Sequence, residues 1–131
     1  MIKAVGVDIV EIDRFNRVLH RWGARFTRRI LTARELGYCQ DKAGGGASMA
    51  VRFAAKEALF KCLSVSEGKA FRFQAVEIVN DRNGKPRMIL HAPLNHRLRS
   101  RIVHVSMSHS NRSAIAVVVL EEGSDDTRND R

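Results

Sequence analysis

Residues Met49 to Leu63, MAVRFAAKEALFKCL, contain neither glycine nor proline and scan as the strongest helical stretch of the chain. Within it Glu57 and Lys61 fall one turn apart beside Phe53, on a face that could be apolar. A glutamate four residues before a lysine is the favourable orientation for a surface ion pair, which needs no ligand. The same two side chains aimed inward would meet one. The helix pattern leaves both readings open.

The flanks of this helix predict an α+β domain. IKAVGVDIV, rich in β-branched residues, reads as a first strand ending near Asp8. From Glu11 the period changes: Ile12, Phe15, Val18, Leu19, Trp22 and Phe26 fall at helical spacing, with Gly23 a break or kink. Thr32 followed by Glu35 is a capping-box signature for a second short helix. DKAGGGAS reads as a flexible loop whose Ser48 caps the long helix, and SVSEGK as a loop after it. FQAVEIVN and RMILH form a hairpin bent at Asn83-Gly84. APLNHRLRS is a short helix, and IVHVSMSH with SAIAVVVL makes a second hairpin. Residues 1–120 are thus the expected domain; 121–131, EEGSDDTRNDR, lack an apolar anchor and are an expected disordered tail.

Charge narrows the partners. The 23 Lys and Arg exceed the 14 Asp and Glu, a net +9 that favours nucleic acid, acidic membranes, an acidic protein or a phosphate-rich small molecule. Arg14, Arg17, Arg21, Arg25 and Arg28 recur three or four apart, with Arg29 beside them, and no acidic residue lies between Phe15 and Arg34. Most charge runs are solvated faces. An exposed face usually mixes signs, however, so this unrelieved row is read as a binding surface. No RNP-type motif, zinc finger or Gly-Lys-Ser/Thr loop appears, and nucleic acid is not the expected partner. No apolar run approaches the ~18 residues of a membrane span. The N-terminus meets charge too early for a secretory signal. Cys39 and Cys62 form no close-spaced metal or redox pair, so the cytoplasm is the expected compartment.

Asp8 and Glu57, on different elements, would together suit Mg²⁺, which prefers hard oxygen ligands and keeps several waters; each alone reads as a turn aspartate and a surface glutamate. His109 in SMSHSN sits at a hairpin mouth, and as an isolated histidine is more often a turn residue than a catalyst. The histidines have no zinc-like spacing, and no nucleophile elbow surrounds Ser106, Ser108 or Ser110.

Taken in order, VGVDIVEIDRF (5–15), RFTRRILTARE (25–35), RFAAKEALFK (52–61), FQAVEIVNDRNGKP (73–86) and VHVSMSHSNRSAIAVVVL (103–120) resemble the bacterial holo-acyl-carrier-protein synthases, the small phosphopantetheinyl transferases. The resemblance implies a 4′-phosphopantetheinyl transferase-like fold and transfer of the phosphopantetheine arm of coenzyme A to a serine of an acyl carrier protein. It implies Asp8 and Glu57 as Mg²⁺ ligands, with Asp8 the candidate base, and Lys61 as a point charge for a coenzyme A phosphate. Arg52, more than Lys56, would bind phosphate, and Asn83, Gly84, Pro86 and His109 match the parts beside the nucleotide. Arg14, Arg21, Arg25, Phe26 and Arg29 would receive the carrier protein's acidic helix. Such enzymes form trimers with sites between subunits. Two departures stand out: CLSVSEGK replaces a glycine-rich phosphate turn, and GGGAS replaces basic residues, leaving Lys42 as the local substitute. A nucleic-acid-binding module and a catalytically weakened carrier-binding homologue are the alternatives.

Overall fold

The structure, a computed structural model, describes residues 1–123. Strand β1 (Ile2–Glu11) leads into helices α1 (Ile12–Trp22), α2 (Ala24–Ile30), α3 (Ala33–Gln40) and α4 (Gly45–Lys61). The short α5 (Val65–Lys69) and a 3₁₀ turn follow, then strands β2 (Val76–Asn80) and β3 (Pro86–Leu90). Helix α6 (Leu94–Arg97) precedes strands β4 (Arg101–His109) and β5 (Ser113–Glu122). One antiparallel sheet has the order β1-β5-β4; β2 and β3 form a second, two-stranded sheet. This is the α+β architecture the sequence predicts.

Helix α4 is the shared wall of the core. Its Ala54, Ala55, Ala58 and Leu59 are buried against Ala116, Val118 and Leu120 of β5. Small residues on the helix let its backbone come close to the sheet. At Gly6 the approach is extreme: a Cβ there would sit inside contact distance of the Ala58 carbonyl oxygen and crowd Cys62 Sγ. That contact lays Asp8, two residues on, beside the last turns of α4.

Local signals hold where local chemistry decides. Gly23, at φ 53°, separates α1 from α2. The capping box is present: Thr32 Oγ1 accepts from the Glu35 amide at 3.2 Å, and Glu35 Oε1 from the Thr32 amide at 2.9 Å. Gly84 adopts φ 82° in the first hairpin, where Asp81 Oδ1 accepts the Asn83 and Lys85 amides.

Four boundaries differ. Strand β1 does not end near Asp8; pairing with β5 carries it to Glu11, and Asp8 lies mid-strand opposite Ala116. The cap of α4 is Gly44 at φ 74°, not Ser48, whose hydroxyl accepts instead from Arg52 Nη1 at 2.7 Å. SVSEGK contains α5, because Ser64 accepts from the Glu67 amide and closes a turn. Glu121 and Glu122 extend β5, with Glu121 opposite Ile2 and Ile102, and Gly123 donates to the Ser100 carbonyl. The rest of the expected tail, 124–131, lies outside the described residues. Among those described, no helix is long and apolar enough to cross a membrane.

The sheet face turned away from α4 is apolar and open: Val5, Val7 and Ile9 of β1 are 59%, 51% and 65% exposed, and Ile102 and Ile115 are exposed beside them.

Substituting Gly6→Ala forces the helix off the strand. Urea denaturation is expected to show a loss of about 2 kcal/mol or more, the scale of overpacking a tight core. An unchanged midpoint would mean the contact is slack.

Candidate active site

Asp8, at an even position of β1, faces α4 across the Gly6 contact. Its Oδ1 accepts from Lys61 Nζ at 2.8 Å, and the same ammonium donates to the Val7 carbonyl at 3.1 Å. Lys61 therefore bonds the strand, not Glu57 on its own helix. Burial, chiefly, and then the charge of Asp8 push the Glu57 carboxyl above its usual range, while Lys61 pulls the other way. Two carboxylates thus compete for one ammonium. They line a common cavity of about 580 Å³ together with Arg14, Phe26 and Phe53.

This donor set fits a divalent cation. Its oxygens are hard, they come from two rigid elements, and the raised Glu57 carboxyl marks negative charge that a cation would relieve. Among the described residues no three His, Cys, Asp or Glu side chains group as ligands, so substrate and water oxygens would complete the shell.

A second constellation lies apart from the first. Arg52, Gly84, Pro86 and His109 line one cavity of about 730 Å³, to which Asp8, Glu57 and Lys61 do not contribute. Arg52 is 3% exposed. Its Nη1 donates to the Ser48 carbonyl and hydroxyl, and its Nη2 to Asn80 Oδ1 at 2.6 Å. Asn80 in turn donates to the Gly84 carbonyl at 3.0 Å, tying the hairpin turn to the arginine. Asn83 sits in that turn, exposed, outside the cavity lining. His109 is exposed, with Nδ1 3.3 Å from the Ser110 carbonyl.

Sequence reasoning passed over Asn80 and Tyr38. Tyr38 lies beneath two cations: the Arg52 guanidinium is 4.5 Å and the Lys42 ammonium 4.6 Å from its ring centroid. No local spacing links positions 38, 52 and 80, so the sequence carries no signal for them. Lys56, grouped with Arg52 in the motif, is fully buried and donates to Glu35 Oε1 at 2.6 Å and the Ile30 carbonyl at 2.7 Å.

The arginine row is exposed along α1 and α2, and among the described residues Arg14, Arg21, Arg25 and Arg29 have no acidic partner. Phe26 packs half-buried against Phe15 and Phe53, with centroids 5.3 and 6.4 Å away. Arg14 and Phe26 reach the carboxylate cavity, so this face and the Asp8–Glu57 pair are continuous. In the altered loop, Glu67 is engaged by Arg97 and Ser64, and Arg97, the larger cause, lowers its carboxyl pKa. Burial pushes the Cys62 thiol up to about 11, which unsuits it as a nucleophile.

Comparison with known proteins shows the family. The model of the 4′-phosphopantetheinyl transferase superfamily matches residues 4–118, and the chain belongs to that superfamily. A holo-[acyl-carrier-protein] synthase of Chloroherpeton thalassium is 42% identical over 117 residues, 89% of this chain and 96% of the relative. The crystal structure of such a synthase from Bacillus anthracis, in complex with CoA (3′,5′-ADP), aligns with TM-score 0.78 and 37% identity over 95% of this chain and 99% of that one. The synthase of Neisseria meningitidis aligns with TM-score 0.85 and 34% identity, covering 93% and 100%. The chain is accordingly an enzyme of the holo-[acyl-carrier-protein] synthase class.

Because the folded state raises the Glu57 pKa, it holds the proton longer than the unfolded chain. Stability is lost as pH rises through the folded value. Glu57→Gln is therefore expected to raise the Tm of EDTA-treated protein near pH 7 and to leave it unchanged at about pH 3.5. A lowered Tm near pH 7 would mean the carboxylate is stabilised, contrary to the burial argument.

Proposed function

We propose that this chain transfers the 4′-phosphopantetheine group of coenzyme A to a serine hydroxyl of an apo acyl carrier protein, releasing adenosine 3′,5′-bisphosphate, with Mg²⁺ held by Asp8 and Glu57. The observation that carries the proposal is the meeting of those two carboxylates in one cavity, with Lys61 bonded to Asp8 at its edge. The bond that forms joins the partner's serine oxygen to the phosphorus bearing the pantetheine. The bond that breaks joins that phosphorus to the oxygen of the departing nucleotide. Asp8 takes the serine proton. Lys61 offers its ammonium to the phosphate being transferred. A bound Mg²⁺ would neutralise charge on the diphosphate.

Arg52, Asn83, Gly84, Pro86 and His109 are the proposed contacts of the nucleotide end, in the second cavity and its hairpin. The two constellations lie in different cavities of one chain, which supports a site completed by a neighbouring copy. The open apolar face of Val5, Val7, Ile9 and Ile115 supports burial between copies, and a homotrimer is the proposed assembly. The cytoplasm is the proposed compartment. Arg14, Arg21, Arg25 and Arg29, without acidic partners among the described residues, and Phe26 receive an acidic helix of the carrier protein, Arg14 and Phe26 joining this face to the carboxylate cavity; such complementarity speeds encounter and makes it salt-sensitive.

Mass spectrometry of an apo carrier protein incubated with coenzyme A and Mg²⁺ is expected to show one added phosphopantetheine, lost with EDTA. Asp8→Asn and Glu57→Gln should each reduce the rate by more than about a hundredfold, the scale of losing a charge-stabilising contact at a reacting phosphate. Full activity in both would sink the assignment. Carrier binding without transfer would favour a catalytically weakened homologue.

Arg14→Glu combined with Arg21→Glu is expected to raise KM for the carrier protein about tenfold or more while leaving KM for coenzyme A within twofold. Equal effects on the two substrates would remove the docking face. Val7→Lys is expected to yield monomers in sedimentation and to abolish transfer. An active monomer would refute the shared site.

A further inference from the structure

Tyr38, unlike Arg52, Gly84, Pro86 and His109 of the same cavity, was marked by no motif. It stands on α3 at 36% exposure, and its ring faces the two cations nearest the cavity wall. Arg52 is held on three sides, by Ser48, Asn80 and the Tyr38 ring, while its buried Nε has no hydrogen-bond partner. Ring contact therefore takes the place of a carboxylate. That choice matters chemically. An acidic partner would cancel the positive charge of Arg52 and Lys42; an aromatic face fixes their positions and leaves the charge intact for an anion. Lys42, on the exposed turn Asp41–Gly44 between α3 and α4, has no acidic partner among the described residues. Its ammonium, the larger cause, also draws the Tyr38 phenol pKa down, with Arg52 adding to it.

We infer that Tyr38 is a positioning residue that sets Lys42 and Arg52 as a two-cation cradle for a phosphate-rich nucleotide, and that the cradle distinguishes a nucleotide bearing two separate phosphates from one bearing a single phosphate. This rests on the coenzyme A reading above. The same cavity receives His109 and the Gly84–Pro86 turn, so the base and sugar would lie between the hairpin and the cations. The GGGAS segment supplies no cation of its own, and the cradle draws its charge instead from Lys42 of the preceding turn and Arg52 of α4, which the Tyr38 ring of α3 gathers.

The test is calorimetric binding of adenosine 3′,5′-bisphosphate and of adenosine 5′-monophosphate to the intact protein. Wild type is expected to prefer the bisphosphate. Tyr38→Leu should weaken the bisphosphate about tenfold, within the range of lost cation–π contacts, and the monophosphate by less than twofold. Tyr38→Phe, which keeps the ring face, should retain most of the preference. Lys42→Ala, at an exposed turn where folding is not at issue, should reproduce the selective loss. In transfer assays the Tyr38→Leu defect should appear in KM for coenzyme A, with kcat within twofold. Equal weakening of both nucleotides, an unchanged preference in Tyr38→Leu, or a Tyr38→Phe defect as large as that of Tyr38→Leu would each overturn the cradle while leaving the transferase reading standing. A wild-type protein that binds neither nucleotide would overturn the coenzyme A reading and the cradle with it.

Discussion

The backbone of α4 rests directly on the backbone of β1 at Gly6, and the site follows from that contact. Strand and helix normally keep side chains between them. Here the glycine, with Ala58 opposite, removes the spacer. The consequence is that a short aspartate on the strand reaches a lysine on the helix at hydrogen-bond distance, and a glutamate one turn earlier opens into the same cavity. Such groups, held by regular elements rather than by a loop, keep their geometry with little freedom to reorganise. The Glu57 carboxyl pKa is raised first by its burial and then by the charge of Asp8, which the rigid elements hold in place.

Next to Glu57 on the helix, Lys56 does the opposite work. Its buried ammonium meets Glu35 Oε1, which also takes the Thr32 amide, while Oε2 takes the Ile78 amide at 2.9 Å. One carboxylate thus joins α3, α4 and β2. Buried ion pairs seldom add net stability over an apolar core, because desolvation consumes the attraction; here burial, the larger cause, lowers the Lys56 pKa despite Glu35. What the pair supplies is direction. Helix α3 is locked in register against α4, and α3 carries Tyr38 to the far cavity. Consecutive residues of one helix therefore meet different surroundings: Glu57 the cavity it shares with Asp8, Lys56 the buried frame that holds α3.

Much of the fold was legible because the deciding chemistry is local. A capping box, an Asn-Gly bend, a glycine break and strand alternation each lie within a few residues, and each is present. The long-range contacts were not legible. The i,i+4 spacing of Glu57 and Lys61 reads as a local pair, yet the lysine prefers Asp8 and the Val7 carbonyl, because β1 lies alongside and offers two acceptors at once. Arg52 and Lys56 look alike in RFAAKEALFK; one becomes a cavity wall and the other core, depending on which elements pack over each face. Asp8 reads as a strand end because charge usually closes a strand, and is interior because β5 continues to pair beyond it.

Charge distribution connects the site to its partner. Acidic side chains are spent on internal contacts: in the core Glu35 on Lys56 and Glu77 on Thr32 and His91, and at the surface Glu67 on Arg97. Among the described residues the arginines of α1 and α2 have no acidic partner, and Arg14 extends their row into the cavity of Asp8 and Glu57. Fields of exposed charges decay over about 8–10 Å at cellular ionic strength, so in the proposed reaction the row would steer an acidic carrier over that range toward the cavity. The surface that attracts the carrier in that reaction leads through Arg14 into the cavity where the carrier's serine must arrive.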